Sequence, residues 1–205
     1  VYEGRKNINN ITRSASLFTY KNIFSLLLSV YSIIFAMQYP LEPNQVSLGS
    51  AFTIGIPAFL LTFEENQKKQ QNSNFLRKVF KNSLPAAITS FLAIVVMVRF
   101  SVLFNVGGQE ITTACSYLFF TGGFLILYKI IRPLNKYRAS VMVLCILGII
   151  LTINTMPNFF AIKAISERAA ALVTLFAIAE FSVIRWITLI LDKFEKNNRQ
   201  NRYEI

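Results

Sequence analysis

Apolar residues along this chain gather into six stretches, at about Ser16–Ala36, Val46–Phe63, Leu84–Phe104, Ile111–Ile131, Ser140–Met156 and Ala169–Leu191. Polar or charged segments bound each of them. A helix needs roughly 20 apolar residues to cross the hydrocarbon core. None of the six shows the two-residue alternation of a barrel strand. Lipid offers no partner to an unpaired backbone group, so the pattern predicts an all-α fold, a polytopic transmembrane bundle of six helices. Ahead of the first stretch, Glu3–Arg13 is polar and unbroken by proline. It predicts a first helix extended out of the membrane as a cytoplasmic stalk. The expected division is residues 1–15 as the start of the stalk, then 16–205 as the six-helix domain with a cytoplasmic C-terminal tail.

Composition agrees. The hydrophobic fraction is 54% and the mean hydropathy +0.47, too apolar for an ordinary soluble domain. A net charge of +11 would suggest nucleic acid in a soluble protein. Here the basic residues sit in alternate gaps between spans, where they set orientation. Arg5, Lys6 and Arg13 precede the first span. Lys68, Lys69, Arg77, Lys78 and Lys81 fill the second gap, and Lys129, Arg132, Lys136 and Arg138 surround the fourth. Lys193, Lys196, Arg199 and Arg202 follow the last span, whereas the first and third gaps hold no basic residue. By the positive-inside rule both termini are cytoplasmic, and the expected location is the plasma membrane. No nucleic-acid partner is expected.

The gaps carry their own signals. Tyr39-Pro40-Leu41-Glu42-Pro43 and Gly107-Gly108 read as outer turns. Phe75–Phe80 is basic and amphipathic, expected along the inner leaflet. Pro133 ends the fourth span, and Pro157 with Phe159-Phe160 marks the outer interface. There is no histidine, which excludes histidine metal sites and proton relays. Cys115 and Cys145 fall inside spans without metal spacing and read as small apolar residues.

The second span, Gly49-Ser50-Ala51-Phe52-Thr53-Ile54-Gly55-Ile56-Pro57-Ala58, is the most informative. Pro57 has no amide hydrogen, and its ring clashes with the Thr53 carbonyl four residues back. Gly55 between them lets the backbone bend. Broken helices that coordinate ions use a freed carbonyl beside a hydroxyl. A simple packing kink is the alternative, since proline and glycine are common in membrane helices. The first span carries Asn22, Ser25, Ser29 and Ser32 on one helical face. Facing the kink, Asn22 and Ser25 would complete an oxygen-rich pocket with Ser50 and Thr53. Ser29 and Ser32 read as close-packing residues. Lys21 lies about a turn inside the inner boundary, where a charge at full depth costs up to about 2.5–3.5 kcal/mol. It either snorkels or supplies a counter-charge when the site is empty. Arg99 is expected to snorkel outward. Glu180, near the middle of the last span, is an intramembrane acid that binds a cation or anchors a neighbouring helix.

Glu3-Gly4-Arg5, Asn9-Asn10-Ile11, Asn22 and Gly55-Ile56-Pro57-Ala58 together resemble the membrane-embedded C-terminal portion of the P-type ATPases. The likeness is to calcium-type pumps, and Arg13–Phe18 with Lys21 looks most like a cation-exporting group of Gram-positive bacteria. The resemblance implies six helices after the phosphorylation domain and a transport segment of an ATP-driven cation efflux pump. Asn22, Ser25, Ser50 and Thr53 would lie at the ion site, with Asn22 and Thr53 as ligands of the transported metal and Gly55 and Pro57 at the kink. Ile54, Ser25 and Ser50 stand where calcium pumps carry Asp, Glu and Asn. Either the missing charge comes from an earlier helix outside this chain, or the substrate is not calcium.

The chain has no Asp-Lys-Thr-Gly, Thr-Gly-Glu or Gly-Asp-Gly motif. No catalytic residue is therefore expected in this segment. ATP and Mg2+ would be used by the full-length protein, in actuator, phosphorylation and nucleotide domains outside the chain. The implied partners are the bilayer, the transported cation, those domains and the missing N-terminal helices. An ATP-independent six-helix channel or carrier, a pump for an organic or polyamine cation, and a membrane scaffold are the other readings.

Overall fold

A computed structural model describes residues 2–64, 75–103 and 107–200. Its described elements are helical: α1 (Tyr2–Ile34), α2 (Pro43–Ser50), a π-helix (Ala51–Gly55), α3 (Ile56–Thr62), α4 (Phe75–Leu103), α5 (Gly108–Ile131), α6 (Lys136–Thr155) and α7 (Glu167–Gln200). The second predicted span is the run α2–π–α3. Six helical segments are long and apolar enough to cross a membrane: Asn9–Ile34, Pro43–Thr62, Phe75–Ser101, Gly108–Ile131, Lys136–Thr155 and Glu167–Leu191. The expected all-helical, six-span fold is the one observed.

α1 has 33 residues, about 50 Å at 1.5 Å per residue. That exceeds the roughly 30 Å hydrocarbon core, so one end projects. Its apolar pattern decides which face is inside. Leu17, Tyr20, Phe24 and Leu28 recur at helical spacing and are fully buried. Phe119 of α5 stacks on Phe24 with ring centroids 5.0 Å apart and on Tyr20 at 6.3 Å. Such aromatic pairs add about 0.5–1.5 kcal/mol beyond burial. The opposite stripe, Phe18, Asn22, Leu26 and Val30, is exposed.

α5 is the most enclosed span. It lies against α4, α7, α1 and the α2–π–α3 run. Three glycines permit the close approach. A Cβ on Gly49 would lie 2.6 Å from the Phe120 ring, and one on Gly123 would lie 2.6 Å from Thr53 Oγ1. One on Gly122 would lie 2.7 Å from the Tyr20 hydroxyl. Small residues at such crossings are how membrane helices pack.

Pro85 sits inside α4. Its ring removes the bond to the Lys81 carbonyl, and that carbonyl accepts instead from Lys129 Nζ of α5 at 3.4 Å. The second span starts at Pro43 rather than Val46. Pro43 is at the head of the helix, where no amide is needed, and the Glu42 N–H donates to Gln45 Oε1 at 3.1 Å. Phe75–Phe80 departs from expectation, for it is not a separate surface segment but the first turns of α4. No glycine or proline breaks the chain before Pro85, and Val79 turns inward to a buried position. The tail beyond Leu191 continues α7 to Gln200. The Gln/Asn-rich part of the second gap, 65–74, lies outside the described residues, as do 104–106. Cys115 and Cys145 are buried free thiols, in keeping with their reading as small apolar residues.

Candidate functional site

The kink is a π-helix over Ala51–Gly55, in which the Ile56 N–H reaches back to the Ala51 carbonyl. Pro57 follows within the first turn of α3. A π turn widens the helix and recurs at functional sites. It places an irregular backbone at mid-span, which lipid tolerates only where protein or a cavity covers it. Thr53 is 0% exposed. It packs on Gly123 of α5, and its hydroxyl donates to the Gly49 carbonyl at 2.7 Å. The Ser50 hydroxyl donates to the Val46 carbonyl at 2.6 Å. With their protons engaged inside the helix, both oxygens keep lone pairs free to accept. Ile54, at the position where calcium pumps carry Asp, is buried among apolar groups.

Asn22 does not join them. It lies on the exposed face of α1, and no hydrogen bond among the described residues links it to Thr53. Ser25 is half-buried and shares a hydrogen bond with the Tyr39 side chain. Lys21 is half-buried beside Asn22. α1 itself does touch the π-helix and α3. Thr53 is thus packed against α5, whereas Asn22 lies on an exposed face of α1. Gly55 is exposed, while Pro57 is buried.

Glu180 of α7 is buried against Gly122, the neighbour of Gly123 on α5. Its Oε1 accepts a hydrogen bond from Ser90 of α4. Arg99 stays at the helix end, donating to the Tyr31 hydroxyl at 2.9 Å and lying 4.9 Å over the Phe35 ring.

One cluster escapes a reading of the sequence. Glu64, just past α3, accepts from Arg13 of α1 at 2.9 Å and from Arg138 of α6 at 2.8 Å. Asn135 donates to the same carboxylate at 2.7 Å. Arg138 also donates to the Ile131 carbonyl at 3.1 Å and the Pro133 carbonyl at 2.6 Å. Burial alone would raise the Glu64 pKa. The hydrogen bonds from Arg138, Asn135 and Arg13 outweigh it and hold the carboxyl below the usual glutamate range. The Asn10 side chain adds a 3.3 Å bond to the Thr62 carbonyl. The inner part of α1 is thereby clamped to the end of the kinked span and the start of α6.

No family model matches the chain. It is 32% identical over 160 residues to a probable cation-transporting ATPase, exp7, of Streptococcus pneumoniae serotype 4, a match taking in 74% of this chain and 20% of that protein. It is 27% identical over 165 residues to the calcium-transporting ATPase CtpE of Mycolicibacterium smegmatis, over 74% of this chain and 21% of that protein. A shorter match, 35% over 95 residues, joins 42% of this chain to 12% of CtpE from Mycobacterium bovis. The homologues are cation-transporting P-type ATPases, and with them the six helices long and apolar enough to cross a membrane mark the chain as a multi-pass membrane protein. The chain spans about a fifth of the length of the curated relatives it matches along most of its own.

Proposed function

We propose that the chain is the membrane-embedded transport domain of an ATP-driven cation efflux pump and forms part of its ion-binding pocket. The observation that carries this is the π-helix before Pro57, mid-span, with the Ser50 and Thr53 oxygens beside it. Asn22 and Ser25 provide the neighbouring edge, and Lys21 a counter-charge. The uncovered stripe of α1 is where further helices of the whole protein would seat and complete the pocket. A polar amide left facing lipid would be costly without such a cover.

α1 acts as the stalk. Its 33 residues and the Glu64 clamp let movement of a phosphorylation domain reach the kink as a rigid-element displacement. ATP and Mg2+ belong to domains outside this chain. Both termini are cytoplasmic by the distribution of lysine and arginine, and the membrane is the plasma membrane. The half-site in this chain carries no carboxylate. A divalent ion would need acidic oxygens from the covering helices.

The test is phosphoenzyme formation from ATP by the full-length protein across a panel of monovalent and divalent cations. An aspartyl-phosphate that requires one cation supports the reading. No phosphoenzyme with any cation, or one indifferent to all, contradicts it.

A further inference from the structure

A second polar cluster lies against Gly122, on the neighbouring face of α5. Glu180 of α7 is 1% exposed. Its Oε1 is bonded by the Ser90 hydroxyl of α4, and Tyr20 of α1 donates to Ser90 Oγ at 3.1 Å. The Tyr20 hydroxyl also lies 3.5 Å from the Phe119 carbonyl of α5. Four helices converge here, and Gly122 makes room for them. A Cβ on Gly122 would sit 2.5 Å from Glu180 Oε1. The second carboxyl oxygen, Oε2, has no hydrogen-bond partner.

Among the described residues the surroundings offer no counter-charge. Among the described residues Glu180 belongs to no ion pair. α4 presents Ser90, α5 presents Gly122 and Phe119, and α1 presents Tyr20, the one other titratable group there among the described residues. One turn away on α7 lie Phe176 and Ile184, both buried and apolar. A lone carboxylate in such a place is strongly disfavoured unless something positive neutralises it. The group is mid-span in α7, and an acid at that depth marks an ion or proton route by default.

We infer that Glu180, with Ser90, Tyr20 and the Phe119 carbonyl, forms a second cation site that takes one positive charge, a proton or an alkali-metal ion. One carboxylate with neutral oxygens balances a single charge. A hard divalent ion wants six or more oxygens and several anionic ones, and no grouping of three acidic, histidine or cysteine side chains exists among the described residues. The site is distinct from the Asn22–Thr53 edge yet mechanically close to it. Gly123 carries Thr53 and its neighbour Gly122 carries Glu180, so a shift of the kinked span on α5 is felt at both. It does not depend on the pump reading.

Infrared difference spectroscopy of the purified full-length protein in lipid vesicles tests it. In choline buffer the wild type should show the carbonyl stretch of a buried carboxylic acid, lost in E180Q. That band should downshift in D2O and vanish as pH rises. If Na+ or K+ also abolishes it at constant pH, the occupant is an alkali ion in exchange with the proton; if not, the proton alone. S90A keeps the carboxyl and removes its donor, so it should shift the same band even should E180Q fail to fold. Absence of the band, with no alkali-dependent carboxylate change relative to E180Q, overturns the inference. So does a band that responds to none of D2O, pH or alkali ion, which would mark a carboxyl locked neutral for packing.

Discussion

Gly122 and Gly123 stand side by side on α5 and face different neighbourhoods. Toward Gly122 the molecule is closed: α1, α4 and α7 bury Tyr20, Ser90 and Glu180. Toward Gly123 it is half open. Thr53 is packed, but Gly55, two residues along the same span, is exposed. The closed side is walled by helices of this chain: α1, α4, α5 and α7. The open side has a polar edge suited to helices from elsewhere in the whole protein. Residues that stabilise and residues that transport should therefore separate under mutation.

The largest expected effect is on neither face but at the clamp that holds them in register. Glu64→Ala leaves Arg13 and Arg138 buried without their counter-charge, a loss of about 3–5 kcal/mol for breaking a buried pair. Thermal unfolding of the detergent-solubilised protein reads it. The clamp also predicts a pH dependence. Glu64 has a depressed folded pKa, so its contribution is full above the ordinary glutamate value and is lost as pH falls through the depressed one. Wild type should lose melting temperature on acidification along a steeper curve than Glu64→Gln.

Next comes Gly123→Ala. The new Cβ would meet Thr53 Oγ1 at 2.6 Å, and overpacking of this kind costs about 1–3 kcal/mol. Transport should fall with stability in that variant. Pro57→Ala should separate the two. It restores an amide that can satisfy the Thr53 carbonyl and so straightens the span. Cation-dependent ATPase activity should drop about tenfold or more, equivalent to about 1.4 kcal/mol of transition-state stabilisation, while the melting temperature barely moves. The smallest stability change belongs to Asn22→Ala in this domain by itself, where the side chain is exposed: within about 0.5 kcal/mol.

The spans were legible because twenty apolar residues in a row leave few other solutions, and the bend because Pro57 removes a bond whatever surrounds it. Ser50 and Thr53 follow from that span alone. What was hidden is what depends on partners remote in the chain. Glu64 meets Arg13 and Arg138 across separations of 51 and 74 residues, and Ser90 meets Glu180 across 90. Neither pairing leaves a local pattern. Phe75–Phe80 looked like a surface segment because its charges are local, whereas its continuity with α4 is set by Val79 packing inward. The outward face of Asn22 was unreadable for a further reason. A polar stripe at helical spacing tells which residues share a face, not which neighbour that face meets.

The central claim is that the open edge of this domain handles the ion without holding the fold together. The most direct measurement is cation-activated phosphoenzyme formation by the full-length Asn22→Ala protein, beside its melting curve. The account predicts an unchanged melting temperature and a loss of cation activation. A variant that melts like the wild type and is activated at the same cation concentration would contradict it.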